Sequence, residues 1–470
     1  MSGRGTVPSD PVLPHLPLAL NGSAMAEVFA PLLRAHRQGL AVEACTVDRI
    51  KYRPRRNIVV SYRLRVRDAQ SGEAVQQLVA ARFCAAGESL RRYAKAVPSD
   101  PATGTASPTT SHVASLDMVA AWWPNDHKLG RSATLLGADS PARQRVLAEV
   151  LAVMTGGQGE LVSHNIELVQ VVPEDRAIAR AELTYRTGSA GQAQVQTVYV
   201  KADAKRRGAT THAVMQALRR SGAQTQGRLL TPQPILWQAD CGLHWQLALA
   251  GTPLLDESPQ VSLAASSRVA ALLAEMHSSA VLTPRRAAAD DWHARLRLVC
   301  ETLVSVEPGW ESAVRSLASS LAVGVDAVCA EKDVTLHADL HPRNILVAGD
   351  RFGLIDLDSV CRGPAVADLG DWIADALYRA LLGGQSIATA LVACRGFVRA
   401  YAGVSGTPCS EASLAWSTAN SLFCQRAWRS VVNLKPGRYA LVEPLLDAAA
   451  AIARAGSIDA ALQAPHRLAA

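Results

Sequence analysis

Several features that mark other classes of protein are missing from this sequence. Its nine cysteines form no CxxC pair, and no run of about 18 uncharged apolar residues occurs, so we expect reduced thiols and no membrane span. The 48 Lys and Arg residues are dispersed and form no basic blocks, which leaves nucleic-acid binding without support. The sequence therefore predicts neither a nucleic-acid partner nor membrane association.

The composition is typical of a folded cytosolic protein. Hydrophobic residues make up 49% of the 470 positions and charged residues 19%, which excludes disorder for most of the chain. At roughly 150 residues per domain, the length suggests about three domains or lobes. The first residues, MSGRGTVPSDPVLPHLPLALNG, contain Pro and Asp where a signal peptide needs an unbroken apolar region. We expect a cytoplasmic protein, whose net charge of +7 would suit an anionic small ligand.

Two β-rich segments indicate an internal repeat. The alternation of apolar and polar residues predicts a hairpin and a further strand in each segment. Pro54 and Pro173 are separated by 173 − 54 = 119 positions, and the same offset places Arg82 on Lys201, since 201 − 82 = 119. A shared ungapped register favours duplication of one unit, although any two β-meanders can be aligned in some register.

The pattern becomes helical from about Ser262, interrupted by two short apolar runs typical of strands. A Pro/Ser/Thr/Ala-rich stretch at 98–112 indicates a surface loop or insertion. The predicted divisions are an N-terminal extension, an N-terminal cap lobe, a nucleotide-binding lobe and a helical C-terminal lobe: 1–40, 41–160, 161–255 and 256–470.

The stretch Val334–Leu377 carries the chemistry. His337 and Asp339 lie in HADLHPRN, which ends at Asn344, and a short turn later comes LIDLD with Asp356. Phosphoryl transfer needs one positioned carboxylate for the acceptor hydroxyl and oxygen ligands for Mg²⁺. Asp339 suits the first task, and Asn344 with Asp356 suits the second, because a strand-turn-strand between them would bring the two ligands together.

HADLHPRN followed by IDLD resembles the motifs of the aminoglycoside phosphotransferase and choline kinase family, relatives of the protein kinases. The resemblance implies an α+β, protein-kinase-like fold of two lobes, a β-rich nucleotide lobe and a mainly helical C-terminal lobe. The additional N-terminal lobe looks like a degenerate repeat of the nucleotide lobe. The implied activity is a small-molecule kinase that moves the γ-phosphoryl of MgATP or MgGTP to a hydroxyl group.

The resemblance also assigns roles to residues. It implies Asp339 as the base or acceptor-orienting residue, Lys201 on the α/β-phosphates, and Asn344 and Asp356 as Mg²⁺ ligands. Asp358 is a second, weaker metal or water-network candidate. Two residues are expected to support the catalytic loop by packing, hydrogen bonding or helix capping: His337 and Asp368.

Two departures from the family pattern bear on activity. The turn VVPEDRAIARAEL, which should cover the phosphates, contains no glycine. The helix ATTHAVMQAL offers no glutamate to pair with Lys201, because His212 or Gln216 occupies its face. Lys201 must therefore be oriented by phosphate, by Asp203 or by another lobe. A pseudokinase that binds nucleotide or a partner without turnover is the alternative that this absence favours.

The charge of the C-terminal region bears on the acceptor. From Gln385 onward eight Lys and Arg residues stand against four Asp and Glu residues, a poor lining for a polycationic aminoglycoside. A sugar-like or anionic acceptor fits better, and an aminoglycoside-modifying resistance kinase remains an alternative. The residues that could bind such an acceptor, or form only an exposed helix face, are Arg426, Trp428, Arg429, Lys435 and Arg438. Trp122 and Trp123 are expected to pack in the protein core.

Overall fold

The computed structural model describes residues 7–96, 108–188, 191–256, 265–384, 386–406 and 408–462. The strands are β1 Leu40–Arg53, β2 Asn57–Asp68, β3 Ala74–Cys84, β4 Thr110–Val113, β5 Met118–Trp122, β6 Gly159–Val172, β7 Arg176–Thr187, β8 Gln194–Asp203, β9 Pro234–Gln238, β10 Leu243–Leu247, β11 Thr252–Pro253, β12 Asp333–Leu336, β13 Ile345–Ala348, β14 Arg351–Leu354 and β15 Cys361–Pro364. Most of the predicted loop 98–112 lies outside the described residues, and its last part forms the start of β4.

The helices surround these strands and form most of the C-terminal half. They are α1 Leu16–Ala19, α2 Gly22–His36, α3 Ser89–Ala96, α4 Arg131–Gly137, α5 Pro141–Thr155, α6 Gly208–Arg220, α7 Gly222–Thr225, α8 Ser266–Ser278, α9 Ala289–Val306, α10 Glu311–Cys329, α11 Val366–Leu382, α12 Ile387–Ser405, α13 Glu411–Ser421, α14 Trp428–Val432, α15 Val442–Ala455 and α16 Ile458–Leu462. A π-helical turn, Leu422–Ala427, joins α13 to α14.

Two antiparallel sheets have the same strand order. The first runs β1-β2-β3-β5-β4 and the second β6-β7-β8-β10-β9. In β7 the alternation of small apolar and polar residues buries one face, including Ala177, Ala179, Ala181 and Leu183. That face packs on a core of its own, so the alternation in the sequence determines which side of the sheet is buried.

The strand pairing in the two sheets shows the same offset of 119 positions that the sequence shows. Arg82 pairs with Val59, and Lys201 pairs with Ile178, where 178 − 59 = 119. Helices α2 and α5 are each 15 residues long and start 119 positions apart, since 141 − 22 = 119. Duplication of a helix-and-strand unit, which would include much of the predicted extension 1–40, accounts for this register.

Helices α4 and α5 precede the predicted boundary at residue 160 but pack against the second sheet. Their buried residues, among them Leu136, Leu147 and Val150, share a core with Val200 and Trp245 of that sheet. Helix α5 is defined locally by Ser140, whose hydroxyl accepts a hydrogen bond from the Arg143 amide at 3.1 Å, and by Gly156 in a left-handed C-cap. The nucleotide-lobe core therefore extends back to residues before 160.

The first sheet packs differently, because its core is continuous with that of the helical lobe. Trp122 is 0% exposed and stacks edge-on against Phe29 of α2, as the core assignment expects. Among the described residues, one helix segment, Pro308–Cys329, is long and apolar enough for a membrane span by length and composition alone. Core helices of soluble proteins pass the same test, and here Val314, Leu321 and Val325 are buried in the helical core.

Gly370 sets the distance between α11 and α13 in that core. A Cβ atom built there would lie 2.6 Å from the Ser417 carbonyl carbon. We expect Gly370→Ala to lower the free energy of unfolding by about 1–3 kcal/mol, because backbone must move to relieve the overlap. The control is Gly403→Ala in α12, where a Cβ meets nothing within 4 Å. Denaturant unfolding should show Gly403→Ala neutral or slightly stabilising; equal effects of the two variants would contradict the packing argument.

Candidate active site

Lys201 lies in the middle of the second sheet and reaches the helical lobe. It sits on β8 between Ile178 and His244, and its Nζ donates to Asp356 Oδ1 at 2.7 Å and to Asp358 Oδ2 at 3.1 Å. Burial alone would lower the pKa of Lys201, but the carboxylates of Asp358 and Asp356 outweigh burial and raise it. Lys201 is thus held as a cation at the junction of two lobes.

The absent helix glutamate is replaced by an aspartate from another lobe. His212 Nε2 lies 3.0 Å from Gln216 on α6, and neither contacts Lys201. Asp203 is occupied by Arg207, whose Nε donates to Asp203 Oδ2 at 2.8 Å. Asp358, which is also the weaker metal candidate, supplies the second carboxylate to Lys201.

The catalytic loop is anchored by Asp368. This carboxylate, 0% exposed, accepts the backbone amides of His337 at 2.7 Å and Ala338 at 2.8 Å. Asp368 lies in the first turn of α11 and braces the loop, but Ala365 holds the N-cap position. His337 is buried, and its Nε2 lies 2.9 Å from the Ile355 carbonyl oxygen, which ties the loop to the strand that precedes Asp356.

Asp339 follows the anchored residues and faces cationic neighbours. Arg429 Nη2 lies 3.5 Å from Asp339 Oδ1, and His341 Nε2 lies 4.0 Å from Oδ2. The Asn344 side-chain amide nitrogen donates to the Asp339 carbonyl oxygen at 3.0 Å. Burial lowers the pKa of His341, which favours its neutral form. Asp339 thus lies beside one guanidinium group and one imidazole ring at the end of the anchored segment.

Asn344 and Asp356 meet across the β13–β14 hairpin, as their spacing predicted. The Ile355 amide donates to the Asn344 carbonyl oxygen at 3.0 Å. Asn344 uses its amide nitrogen for Asp339, and within the described part of the chain its amide oxygen has no hydrogen-bond partner. Burial would raise the pKa of Asp356, but Lys201 outweighs burial and lowers it, so the carboxylate stays ionised.

This donor set fits Mg²⁺. One free amide oxygen and an ionised carboxylate are hard oxygen ligands, and Mg²⁺ completes its shell with water and phosphate oxygens. In the stretches that the structure describes, no group of three or more His, Cys, Asp or Glu side chains forms a ready-made metal site. Asn344 and Asp356 would therefore hold Mg²⁺ only together with the phosphate oxygens of a bound nucleotide.

A single cavity of about 1770 Å³ opens onto these residues. All three lobes line it: β1 and β2 from the first, the β6–β7 turn and Lys201 from the second, and the catalytic loop with residues after Trp428 from the helical lobe. Leu249 and Gly251 line it where the chain passes from the second sheet to the helical lobe. The cavity is large enough for a nucleotide and an acceptor side by side.

Several residues of this cavity were not singled out by the sequence. Arg176 is the first residue of β7, directly after the turn, and its buried Nε has no hydrogen-bond partner among the described atoms. Arg49 and Arg343 line the same cavity. The basic residues of DRIKYRPRR and the Arg of HPRN were the available signals, but neither spacing nor periodicity links these segments.

The predicted C-terminal cluster is divided by the structure. Arg429, Trp428 and Lys435 line the cavity. Arg426 is buried, with Nη1 3.2 Å from Asp375 Oδ1, and Arg438 donates to the Tyr378 hydroxyl. The Trp428 ring is covered by the Arg295 guanidinium at 3.9 Å from its centroid. Arg426 and Arg438 are thus engaged in internal contacts.

Comparison with known proteins identifies the class. Residues 176–406 match the model of the APH family, described as the phosphotransferase enzyme family. No curated protein matched the chain. This segment therefore matches the phosphotransferase enzyme family, and the match agrees with the resemblance carried by HADLHPRN and IDLD.

Comparison with solved structures gives matches at low sequence identity. A choline/ethanolamine kinase family protein from Mesorhizobium loti is 15% identical, with a TM-score of 0.44 over 68% of this chain and 99% of that chain. The aminoglycoside phosphotransferase APH(4)-Ia in complex with ADP and hygromycin B is 14% identical, with a TM-score of 0.43 over 66% and 98%. Choline kinase LicA from Streptococcus pneumoniae is 14% identical, with a TM-score of 0.42 over 65% and 99%.

The match supports the class of small-molecule kinases with a hydroxyl group as acceptor, and the structure has the β-rich and helical lobes that the resemblance implied. The family uses ATP with Mg²⁺ in general. The class follows from the family match, since structural similarity at this level carries no information on the substrate.

Asp358 offers a test of how Lys201 is oriented. We expect Asp358→Asn to raise the KM for ATP about tenfold, since a charge-assisted hydrogen bond of roughly 1.5–3 kcal/mol is weakened. The Mg²⁺ concentration for half-maximal rate should stay unchanged. The control is Asp326→Asn, an exposed position on α10. Steady-state kinetics that show a shifted Mg²⁺ requirement with an unchanged KM for ATP would instead assign Asp358 to the metal.

Proposed function

We propose that this protein transfers the γ-phosphoryl group of MgATP or MgGTP to a hydroxyl of a small sugar-like acceptor that carries an anionic group. Asp339 receives the hydroxyl proton as the acceptor oxygen bonds to phosphorus and the bond to the β-phosphate oxygen breaks. Lys201 binds the α/β-phosphates. Asn344 and Asp356, with Asp358 as a weaker candidate, would hold Mg²⁺, whose charge would neutralise the phosphates.

The observation that carries the acceptor class is the charge of the cavity. Nine Lys and Arg side chains line it, against five Asp and Glu side chains. Of those acids, Asp356 is paired with Lys201, and Asp48 accepts from Arg63 Nε at 2.9 Å. Asp339 is needed for the acceptor hydroxyl. The remaining surplus of positive charge attracts anions and repels cations.

Part of this positive charge lies on the acceptor side of the cavity. Arg49 and Lys51 come from β1, Arg343 from the catalytic loop and Lys435 from the segment after α14. Burial lowers the pKa of Lys435, and the nearby Arg343 and Arg49 charges lower it further. Within the described ranges no carboxylate lies at ion-pair distance from Arg49, Arg343 or Lys435. Such unpaired cations around one space favour a phosphate or carboxylate group on the acceptor.

The two alternatives are less well supported by these contacts. An aminoglycoside carries several ammonium groups, and the surplus of Lys and Arg would oppose its binding. The pseudokinase alternative was favoured by the absent helix glutamate, but Asp358 and Asp356 both hold Lys201. The loop that presents Asp339 is anchored as well. Both observations support turnover.

Asp339 provides the decisive test of the activity. Purified protein with MgATP or MgGTP should release ADP or GDP in the presence of an acceptor drawn from sugars, sugar phosphates, sugar acids, choline-like alcohols and aminoglycosides. Asp339→Ala should lower kcat by about a hundredfold or more with nucleotide binding nearly unchanged. Asp350→Ala, on the exposed β13–β14 turn, is the control. Nucleotide binding without release for any acceptor would favour the pseudokinase.

Arg49 and Lys435 test the charge of the acceptor. With the acceptor found above, Arg49→Gln and Lys435→Gln should each raise its KM about tenfold, because a charge-assisted contact is lost. The KM for ATP should stay constant, and raised ionic strength should reduce the difference between variants and unsubstituted protein. Arg65→Gln on β2, where Arg65 pairs with Glu43 at 2.9 Å on the surface, is the control. An unchanged acceptor KM in both variants would rule out an anion site on this wall.

A further inference from the structure

The turn between β6 and β7 has an unusual backbone at its tip. Glu174 adopts a left-handed φ of 59° in the turn whose neighbours Pro173, Asp175 and Arg176 line the cavity beside Lys201. Residues with a side chain rarely adopt this conformation, and glycine does so without steric strain. A strained residue persists where surrounding contacts hold it in place. The contacts that hold Glu174 are therefore informative.

All three polar contacts of Glu174 that hold it come from the preceding lobe and its connection. The Glu174 amide donates to Asp126 Oδ2 at 2.7 Å. Its carboxylate accepts from Arg82 of β3 and lies 2.9 Å from Lys128 Nζ. Asp126 and Lys128 belong to WWPNDHKL, the stretch that follows β5. Residues outside the second sheet thus hold both the backbone amide and the side chain of Glu174.

The Arg82–Glu174 contact is an ion pair that is largely shielded from solvent. The Arg82 side chain is 15% exposed and that of Glu174 21%. Arg82 is itself fixed, because its Nη1 donates to Asn57 Oδ1 at 2.9 Å. Burial would raise the pKa of Glu174, but Arg82 and Lys128 outweigh burial and lower it to about 2. Glu174 therefore remains charged at neutral pH, and the pair resists separation.

Arg82 occupies in the first sheet the register position that Lys201 occupies in the second. Each lies on the third strand of its sheet, opposite Val59 and Ile178 respectively. Lys201 points its charge to Asp356 in the nucleotide site, whereas Arg82 reaches Glu174 of the neighbouring lobe. In the first sheet, the residue at this strand position, Arg82, therefore forms a contact between lobes.

We propose that the first lobe positions the nucleotide loop: Arg82, Asp126 and Lys128 hold Glu174, and with it the β6–β7 turn that would cover the phosphates. The proposal rests on the proposed nucleotide site and goes beyond it, because it gives the first lobe a role in ATP binding. Arg82 acts through Glu174 and is a positioning residue.

The held turn connects directly to groups that face the nucleotide. Arg176 follows Glu174 by two positions, lines the cavity, and has a buried Nε without a partner among the residues the structure describes. Asp356 lines the same cavity, and the charge of Arg176 is one cause of its lowered pKa. If Glu174 lost these contacts, Arg176 would move relative to the phosphates of a bound nucleotide. We therefore expect weaker nucleotide binding as the main effect of losing them.

Charge reversal across the Arg82–Glu174 pair tests the proposal in the full-length protein. Arg82→Glu and Glu174→Arg should each raise the KM for ATP and the Kd of a fluorescent ATP analogue about tenfold, with kcat within about threefold. The double variant Arg82→Glu/Glu174→Arg should recover most of the affinity, since the pair is restored with opposite polarity. Arg82→Lys, which keeps the charge, should lie close to the unsubstituted protein.

Glycine at the turn gives a second, independent measurement. Glu174→Gly should bind nucleotide with at most a small loss, and in that background Arg82→Gln should have no further effect on KM or Kd. Arg315→Glu is the matched control, because Arg315 pairs with Glu311 at 2.7 Å on α10 outside the cavity lining. Thermal unfolding of every variant separates loss of fold from loss of positioning.

Two results would overturn the proposal. Unchanged KM and Kd in Arg82→Glu would show that the contact does not control the turn. A lowered melting temperature and kcat with unchanged nucleotide affinity would show a merely structural contact. The analogue's Kd decides the matter even if no acceptor supports turnover, so failure of the proposed activity is recognised separately. An unsubstituted protein that binds no nucleotide would contradict both proposals.

Discussion

The buried carboxylate of Asp368 is the interaction on which the catalytic segment depends. It accepts the amides of His337 and Ala338 and lies 3.1 Å from His277 Nε2, whose Nδ1 lies 2.7 Å from the Tyr401 hydroxyl. Burial would raise the pKa of Asp368, but hydrogen bonding to His277 and nearby positive charge outweigh burial and lower it. A buried anion is stable only while every partner stays in place. The residues just before Asp339 are therefore held rigidly.

Ionic contacts of the same kind join the lobes. Lys201 connects the nucleotide lobe to Asp356 and Asp358, and Arg82 connects the first lobe to the turn at Glu174. Each of these groups is largely removed from water, so separation of the lobes would leave charges without partners. The ion pairs that position the three lobes therefore include residues of the candidate nucleotide site. All three lobes line the resulting cavity.

The two departures from the family pattern have one physical explanation. A glutamate on α6 and a glycine in the β6–β7 turn are local solutions, in which one lobe supplies its own support. Here Asp358 holds Lys201, and contacts from the first lobe hold Glu174. Support that the nucleotide lobe does not supply itself is here supplied by other lobes, and such compensation is common at functional sites. Asp358 of the helical lobe thus compensates for the absent glutamate, and contacts from the additional lobe hold the turn that lacks glycine.

Local spacing in the sequence determined the fold class and the centre of the site. HADLHPRN and IDLD span one loop and one hairpin, so Asp339, Asn344 and Asp356 converge wherever the segment folds, and the offset of 119 follows from matching strand and helix lengths. Only the tertiary structure decided that Asp358 pairs with Lys201 across 157 positions, and that Glu174 is held by another lobe. Periodicity encodes which face of an element is buried, but not which distant element covers it, because that depends on how whole lobes pack.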